Sequence, residues 1–266
     1  MLKDTCRHRF IRMCCLFVFL LSFSVPESRP ASQVREEFPL QLDHVLVWVS
    51  RGAPEAKAFE SAGLQIQDRT NQHSGQGTAS RVFIFANLYL ELIWIEDEPA
   101  AARNAARTGI DMTTRAEWQK TGASLFGVGL HRQLGRNAAI PFPVTHYWAE
   151  WMRPDTIIEF AQTVTNPSEP MYFIVPDYIS TGSPAMQGML SERLKNSSHR
   201  LGVSRLSQLR IVQTGKKLTS TSELLSQGGI MKVELGTTPL LELTFDGGAQ
   251  KKSADLRPQL PVVLKY

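Results

Sequence analysis

The sequence predicts an α+β protein in which a β-α-β-β-β order occurs twice, and three observations carry that expectation. Alternating or β-branched runs such as LQLDHVLVWV and LLELTF read as half-buried strands. Helix-capping residues place one short helix after the first strand of each copy. The tripeptides Leu90-Glu91-Leu92 and Leu241-Glu242-Leu243 then put a carboxylate at the same point of the last strand in both copies.

The first copy opens with a strand at Leu40–Val49. A helix follows, with Pro54 suited to a first turn and Gly63 to a left-handed cap. A strand at Leu64–Asp68, a polar loop at Thr70–Ser80 and strands at Arg81–Ala86 and Leu88–Ile95 complete it. The second copy has a strand at Leu206–Gln213, a helix whose Ser220 and Glu223 make a capping box, and strands at Ile230–Leu235 and Leu240–Phe245. Between them, helices are expected at Ala100–Arg107, Thr113–Thr121 and Pro184–Lys195, and strands at Gly127–Arg132, Thr145–Met152 and Met171–Val175. The boundaries are therefore a leader at 1–32, a first module at 33–98, an intervening segment at 99–198, and a second module with tail at 199–266.

The chain has 266 residues, of which 42% are hydrophobic, 20% charged and 9% aromatic, enough for a sizeable core and wrong for a disordered or collagen-like chain. The formal charge of +4 is unevenly placed. Residues 1–32 hold five of the 29 basic and two of the 25 acidic residues, leaving 24 against 23 in the remainder. A broad phosphate-binding surface loses its support, and no nucleic-acid partner is expected. The leader has a basic start ending at Arg12, an apolar run Met13–Val25 and then Pro26, Glu27 and Pro30, the layout of a secretory signal peptide. That run is short for a membrane span, so an exported, periplasmic or secreted protein with no stable span after leader removal is expected, with an uncleaved membrane anchor as the alternative. Cys6, Cys14 and Cys15 all lie in the leader, so the mature chain has no thiol for catalysis or a disulfide. Asn196-Ser197-Ser198 reads as a glycosylation acceptor, meaningful only in a eukaryotic secretory pathway.

Strand alternation puts His44, Leu46 and Trp48 on one face and Val45, Val47 and Val49 on the other. The valine face suits packing under helices, which sends His44 toward a cavity. By the same logic Gln208 stands where His44 stood, with Arg210 beside it, and Glu91 and Glu242 face the cavity. A Glu inside the apolar run LYLELIWI needs a partner or a solvent cleft, because an unpaired buried carboxylate is costly. His73 sits in a glycine-rich loop, His199 precedes the second copy, and Trp48 and Trp94 are candidates to line an apolar cleft. Met186, Met189, Leu190 and Leu194 give the helix at Pro184–Lys195 one apolar face.

These residues resemble the vicinal oxygen chelate superfamily, most closely its glyoxalase-like domains. The resemblance rests on Leu42-Asp43-His44-Val45, on His73-Ser74-Gly75-Gln76-Gly77-Thr78 running into Arg81, and on Tyr89-Leu90-Glu91-Leu92-Ile93-Trp94. Weaker partners are His199 with Leu201-Gly202-Val203 and the LLELTF strand. It implies paired βαβββ modules forming a curved mixed sheet around a cleft, with a long insertion between modules. It also implies a divalent ion, zinc, nickel, iron or manganese, held by His44, Glu91, Gln208 and Glu242. Glu91 or Glu242 would then act as the base, and His73, Arg210, His199, Trp48 and Trp94 would contact a small carbonyl or oxygenated molecule. The expected chemistry is metal-assisted isomerase or lyase action. Two other readings stay open: a non-catalytic binding protein of the same fold, and an iron ring-cleaving oxygenase if His199 or His73 supplies a second imidazole. Paired modules also permit a homodimer through sheet edges. No G-x-S-x-G elbow, H-E-x-x-H, Walker loop or strand-linked G-x-G-x-x-G is present; Gly127-Val128-Gly129-Leu130-His131 does not qualify.

Overall fold

In the computed structural model, residues 37–266 form one compact unit, and the structure describes residues 38–133, 139–195 and 198–266. The expected leader at 1–32, with its three cysteines, and the acceptor Asn196 lie outside the described residues. Among the described residues no helix is long and apolar enough to cross a membrane.

The chain begins with β1 (Leu40–Trp48), α1 (Ala56–Ser61), β2 (Asn71–His73), β3 (Thr78–Ile84) and β4 (Tyr89–Ile95). Three helices follow, α2 (Glu98–Thr108), α3 (Thr113–Ala116) and α4 (Trp118–Thr121), and then β5 (Phe126–Arg132), β6 (Val144–Tyr147), β7 (Ile158–Ala161) and β8 (Met171–Ile174). Next come α5 (Pro184–Lys195), β9 (Leu206–Gln213), α6 (Ser220–Gln227), β10 (Lys232–Leu235), β11 (Leu240–Phe245), β12 (Ser253–Asp255) and β13 (Val262–Lys265). Strands β1 to β8 form one sheet in the order β2-β3-β4-β1-β5-β8-β7-β6, and β9 to β13 a second in the order β10-β9-β11-β13-β12.

The α+β class and the paired-module mixed sheet around a cleft are as expected, but the second module is elsewhere. The eight-stranded sheet is two mirrored halves meeting at the antiparallel β1–β5 seam, so the partner of the first module is built by residues 126–174. Those residues fall in the segment read as an insertion. Residues 199–266 build the separate five-stranded sheet. There β9 pairs parallel with the very next strand, β10, and antiparallel with β11, whereas β1 pairs parallel with the last strand of its module, β4. The same order along the chain therefore gives a different pairing, which element order alone does not specify. The true second half was hard to read because β7 and β8 are buried along their whole length and β5 nearly so, which removes the alternation.

Smaller differences have local causes. Residues 64–68 form no strand, although Gln67 N–H donates to the Val82 carbonyl, and β2 instead lies in the stretch read as loop. The cap of α6 is Thr219, whose hydroxyl accepts from Ser222 N–H, one residue before the expected Ser220. Helix α2 starts at Asp97, which accepts from Ala100 N–H, and ends at Gly109.

One apolar core runs through both sheets. Two buried polar clusters fasten it. Arg115, 1% exposed, donates to the carbonyls of Ser124, Val164, Asn166, Pro167 and Glu169, and burial lowers its guanidinium to about 10, so it stays charged at neutral pH. The carboxylate of buried Glu169 accepts from Thr219 and Ser222, and Ser222 also bonds Tyr172, which ties β8 to α6. Arg115→Ala is expected to lower the unfolding free energy by about 3 kcal/mol or more, because several buried carbonyls lose a charged donor at once. Urea unfolding checks this, and an unchanged midpoint would contradict the role given to Arg115.

Candidate functional site

β1 and β4 run parallel with His44 opposite Tyr89. Alternation then brings His44, Leu46 and Trp48 to the same side as Tyr89, Glu91 and Ile93. A cleft of about 400 Å³ lies over that side. Its wall is mostly apolar, with Val82, Ile84, Phe160, Phe173, Met186 and Met189 among the lining residues. Helix α5 closes part of it, packing Leu190 against Val82 and Ile84 in a small cluster apart from the main core.

Two imidazoles and a carboxylate converge in this cleft. His44 Nε2 lies 3.6 Å from one oxygen of Glu91, and His73 Nε2 lies 3.9 Å from the other. His44 is fixed on every side. Its Nδ1 lies 2.7 Å from Asp43 Oδ1, its ring stacks on Tyr89 at 4.4 Å, and Phe173 meets it edge-on at 5.3 Å. A carboxylate can only accept, so Nδ1–H donates to Asp43, and Nε2 is the ring nitrogen turned toward Glu91. Asp43 is fully buried and also accepts from Thr181 N–H and Oγ1–H, at 2.7 and 2.9 Å. Adjacent residues on a strand normally point apart. Here a register shift between Leu42 and His44 interrupts the β1–β5 ladder, and the two side chains meet at Nδ1.

His73 is held from behind by Thr78, whose hydroxyl lies 2.8 Å from Nδ1 and accepts from Gln76 Nε2. Gln76 Oε1 in turn accepts from Tyr147 OH and Trp151 Nε1. Burial holds the His73 imidazole below its ordinary value, against the pull of Glu91. Burial first, then the charges of Asp43 and Glu91, pushes the Tyr89 phenol well above its ordinary value, so it remains a hydroxyl donor. Trp48 also lines the cleft, and its buried Nε1–H has no partner among the described residues.

A family model described as a glyoxalase-like domain matches residues 42–226. The chain belongs to that family. The match spans both halves of the eight-stranded sheet and ends before β10. Among solved structures, a hypothetical protein from Staphylococcus aureus is similar over 85% of this chain and 98% of its own, at 10% identity and a TM-score of 0.52, a likeness of fold alone. A mutant of 4-hydroxymandelate synthase from Streptomyces coelicolor matches over 85% of this chain and 62% of its own, at 12% identity and a TM-score of 0.33. No curated protein matches the chain.

This glyoxalase-like domain does not assemble the four ligands that the resemblance implies. His44 and Glu91 share the cleft, with His73 beside them, but Gln208, Arg210 and Glu242 line a separate groove of about 620 Å³ on the C-terminal sheet. There Arg210 pairs with Glu234 and Glu242, and Lys265 pairs with Glu242. The face assigned to these residues is the open one, but it belongs to the other sheet, which is why they cannot reach His44. In the second half β5 and β8 pair in parallel as β1 and β4 do in the first, and the residues they bring against His44 and Leu46 or into the cleft are Gly127, Gly129, Met171 and Phe173. None is a histidine, glutamine or carboxylate. Among the described residues no group of three or more His, Cys, Asp or Glu side chains has metal-holding geometry. The donors present do not fit the expected ion.

Two other expected contacts fall elsewhere. Trp94 points away from the cleft and donates through Nε1 to Glu96. His199 is buried between modules, accepting at Nδ1 from Gln65 N–H and donating from Nε2 to the Ile84 carbonyl, so it serves the backbone. Asp43, Gln76, Tyr89, Trp151 and Phe173 are the site residues that alternation and motif did not single out. Asp43 stood next to His44 in the motif, but alternation would send it to the other face, and only the structure shows it bonded to His44.

Burial lowers the His199 pKa despite the opposing pull of the Ile84 carbonyl. The unfolded chain therefore binds this proton more readily, and stability is unaffected above about 6.5, the ordinary histidine value, but falls as pH drops through it. The urea midpoint is expected to be lower at pH 5.5 than at pH 7.5, with a smaller gap in His199→Gln; an equal gap in both proteins would contradict this.

Proposed function

We propose that this glyoxalase-like domain binds a small, largely apolar molecule bearing a carbonyl or hydroxyl oxygen, and that Glu91 removes a proton from it in an isomerase or lyase type of reaction. The observation that carries the reading is the convergence of His44, His73 and Glu91 at the floor of an otherwise apolar cleft. Glu91 lies between the two imidazoles at 3.6 and 3.9 Å, too far for a hydrogen bond to either, so its carboxylate is free to accept from a ligand with an acidic C–H or a hydroxyl. Glu91 would take the proton from carbon next to a carbonyl and return it to a neighbouring position, while the enolate oxygen draws on donors lining the same cleft, the Tyr89 hydroxyl and Trp48 Nε1–H. Asp43 holds His44 in place and touches no ligand. The tripartite leader supports the further proposal that the protein is exported.

Incubation with a panel of ketones, aldehydes and hydroxy ketones in D2O tests the reading. Deuterium should enter the carbon next to the carbonyl of at least one compound, and Glu91→Gln should slow that exchange about 10²–10⁴-fold while ligand still quenches tryptophan fluorescence. Quenching without exchange in the native protein would favour the non-catalytic binding reading, and neither signal would sink both.

Metal content by mass spectrometry on the same samples checks the donor mismatch. Well under about one divalent ion per chain is expected, unchanged by His44→Ala; stoichiometric ion lost in that variant would reinstate a metal role for His44.

A further inference from the structure

The mouth of the cleft differs in charge from its floor. Glu91 is the only acidic side chain among the lining residues, and it lies at the bottom between two imidazoles. At the rim stand two guanidinium groups from different elements, exposed Arg69 ahead of β2 and half-buried Arg193 on α5. Several arginines among the described residues answer a carboxylate or a carbonyl: Arg51 pairs with Glu96, Arg81 with Asp68, Arg132 with Glu159 and Arg257 with Asp255, and Arg115 serves five carbonyls. Arg69 and Arg193 have no such partner among the described residues. Asn71 and Gln72 add neutral hydrogen-bonding groups beside Arg69.

We infer that the ligand of this cleft is an amphipathic anion, its carboxylate held at the mouth by Arg69 and Arg193 and its apolar body extending inward toward Glu91. The inference rests on the proposal that this cleft is the binding site. Charge complementarity selects the ligand class. A planar guanidinium fork matches a carboxylate, α5 brings a second fork to the same cleft, and the one acidic lining residue, Glu91, lies against His44 and His73 instead. A neutral ligand of the same shape would gain the apolar contacts and leave both forks to water. Because one arginine precedes β2 and the other sits on α5, a bound carboxylate also bridges the sheet to the helix that covers it.

Octanoate and 1-octanol share an apolar body and differ in charge, and Trp48 and Trp151 line the cleft, so quenching of tryptophan fluorescence reports either ligand. At low ionic strength octanoate is expected to bind about tenfold or more tightly than octanol. The variant Arg69→Gln/Arg193→Gln should erase that preference while binding octanol as the native protein does, which also shows that it is folded. Equal affinities in the native protein, or an octanoate preference that survives in the double variant, would overturn the anion inference and leave the cleft as a binding site for neutral molecules. Failure of both ligands to quench would instead overturn the cleft reading itself.

Discussion

The close approach of β1 and β5 is the constraint on which the site depends. The two halves of the large sheet meet along this one antiparallel seam, and the larger side chains of β1 need room across it. Gly127 and Gly129 provide that room. A Cβ on Gly129 would stand 2.4 Å from His44 Cε1, and one on Gly127 would stand 2.6 Å from Leu46 Cγ, both well inside van der Waals contact. The symmetry of the backbone therefore forces an asymmetry of chemistry. One half carries His44, His73 and Glu91; the other half gives up side chains at the seam and supplies Phe160, Met171 and Phe173 as apolar wall.

That asymmetry makes the buried Asp43 tolerable and useful. A carboxylate removed from water costs several kcal/mol unless its oxygens are satisfied. Asp43 is satisfied by one donor from its own strand, His44, and by two from Thr181, three residues ahead of α5. The orientation of His44 is thereby tied to the segment that leads into the helix over the cleft. Tyr89 completes the restraint by stacking on the imidazole, and burial keeps its phenol protonated. His44 is thus held from outside the cleft lining by Asp43 and from within it by Tyr89 and Phe173.

The sequence made the first module legible because its strands alternate, so the period that reveals a strand also reveals its faces. His44, Leu46 and Trp48 could be put on one face, and Glu91 marked itself as a lone carboxylate in LYLELIWI. The partner half was opaque for the same physical reason: Ile158–Ala161 and Met171–Ile174 are buried on both faces, and a short uniform apolar run carries no face information. The C-terminal strands β9 and β11 alternate cleanly and so attracted the role of second module, although pairing set them in another sheet. Gly127 and Gly129 looked like a failed nucleotide motif. Their meaning lies in what stands across the strand from them, which no one-dimensional pattern records.

The C-terminal sheet is better understood as a buttress than as a second site. Along β8, Phe173 faces the cleft, while its neighbour Tyr172 turns the other way and is sealed by the Ser222 and Glu169 cluster at the start of α6. Phe85 meets Phe245 at 4.7 Å, and Asn87 exchanges two hydrogen bonds with the backbone of Leu206, which fastens the end of the first module to β9. His199 spends both ring nitrogens on backbone groups of the first module for the same purpose. On the open face, by contrast, Arg210, Glu234, Glu242 and Lys265 neutralise one another in pairs. Charges that are mutually satisfied have little left to offer a ligand, whereas Glu91 in the cleft lies 3.6 and 3.9 Å from its two imidazole neighbours and is hydrogen-bonded to neither, and that difference, more than the size of either cavity, is why the cleft and not the groove is proposed as the ligand site.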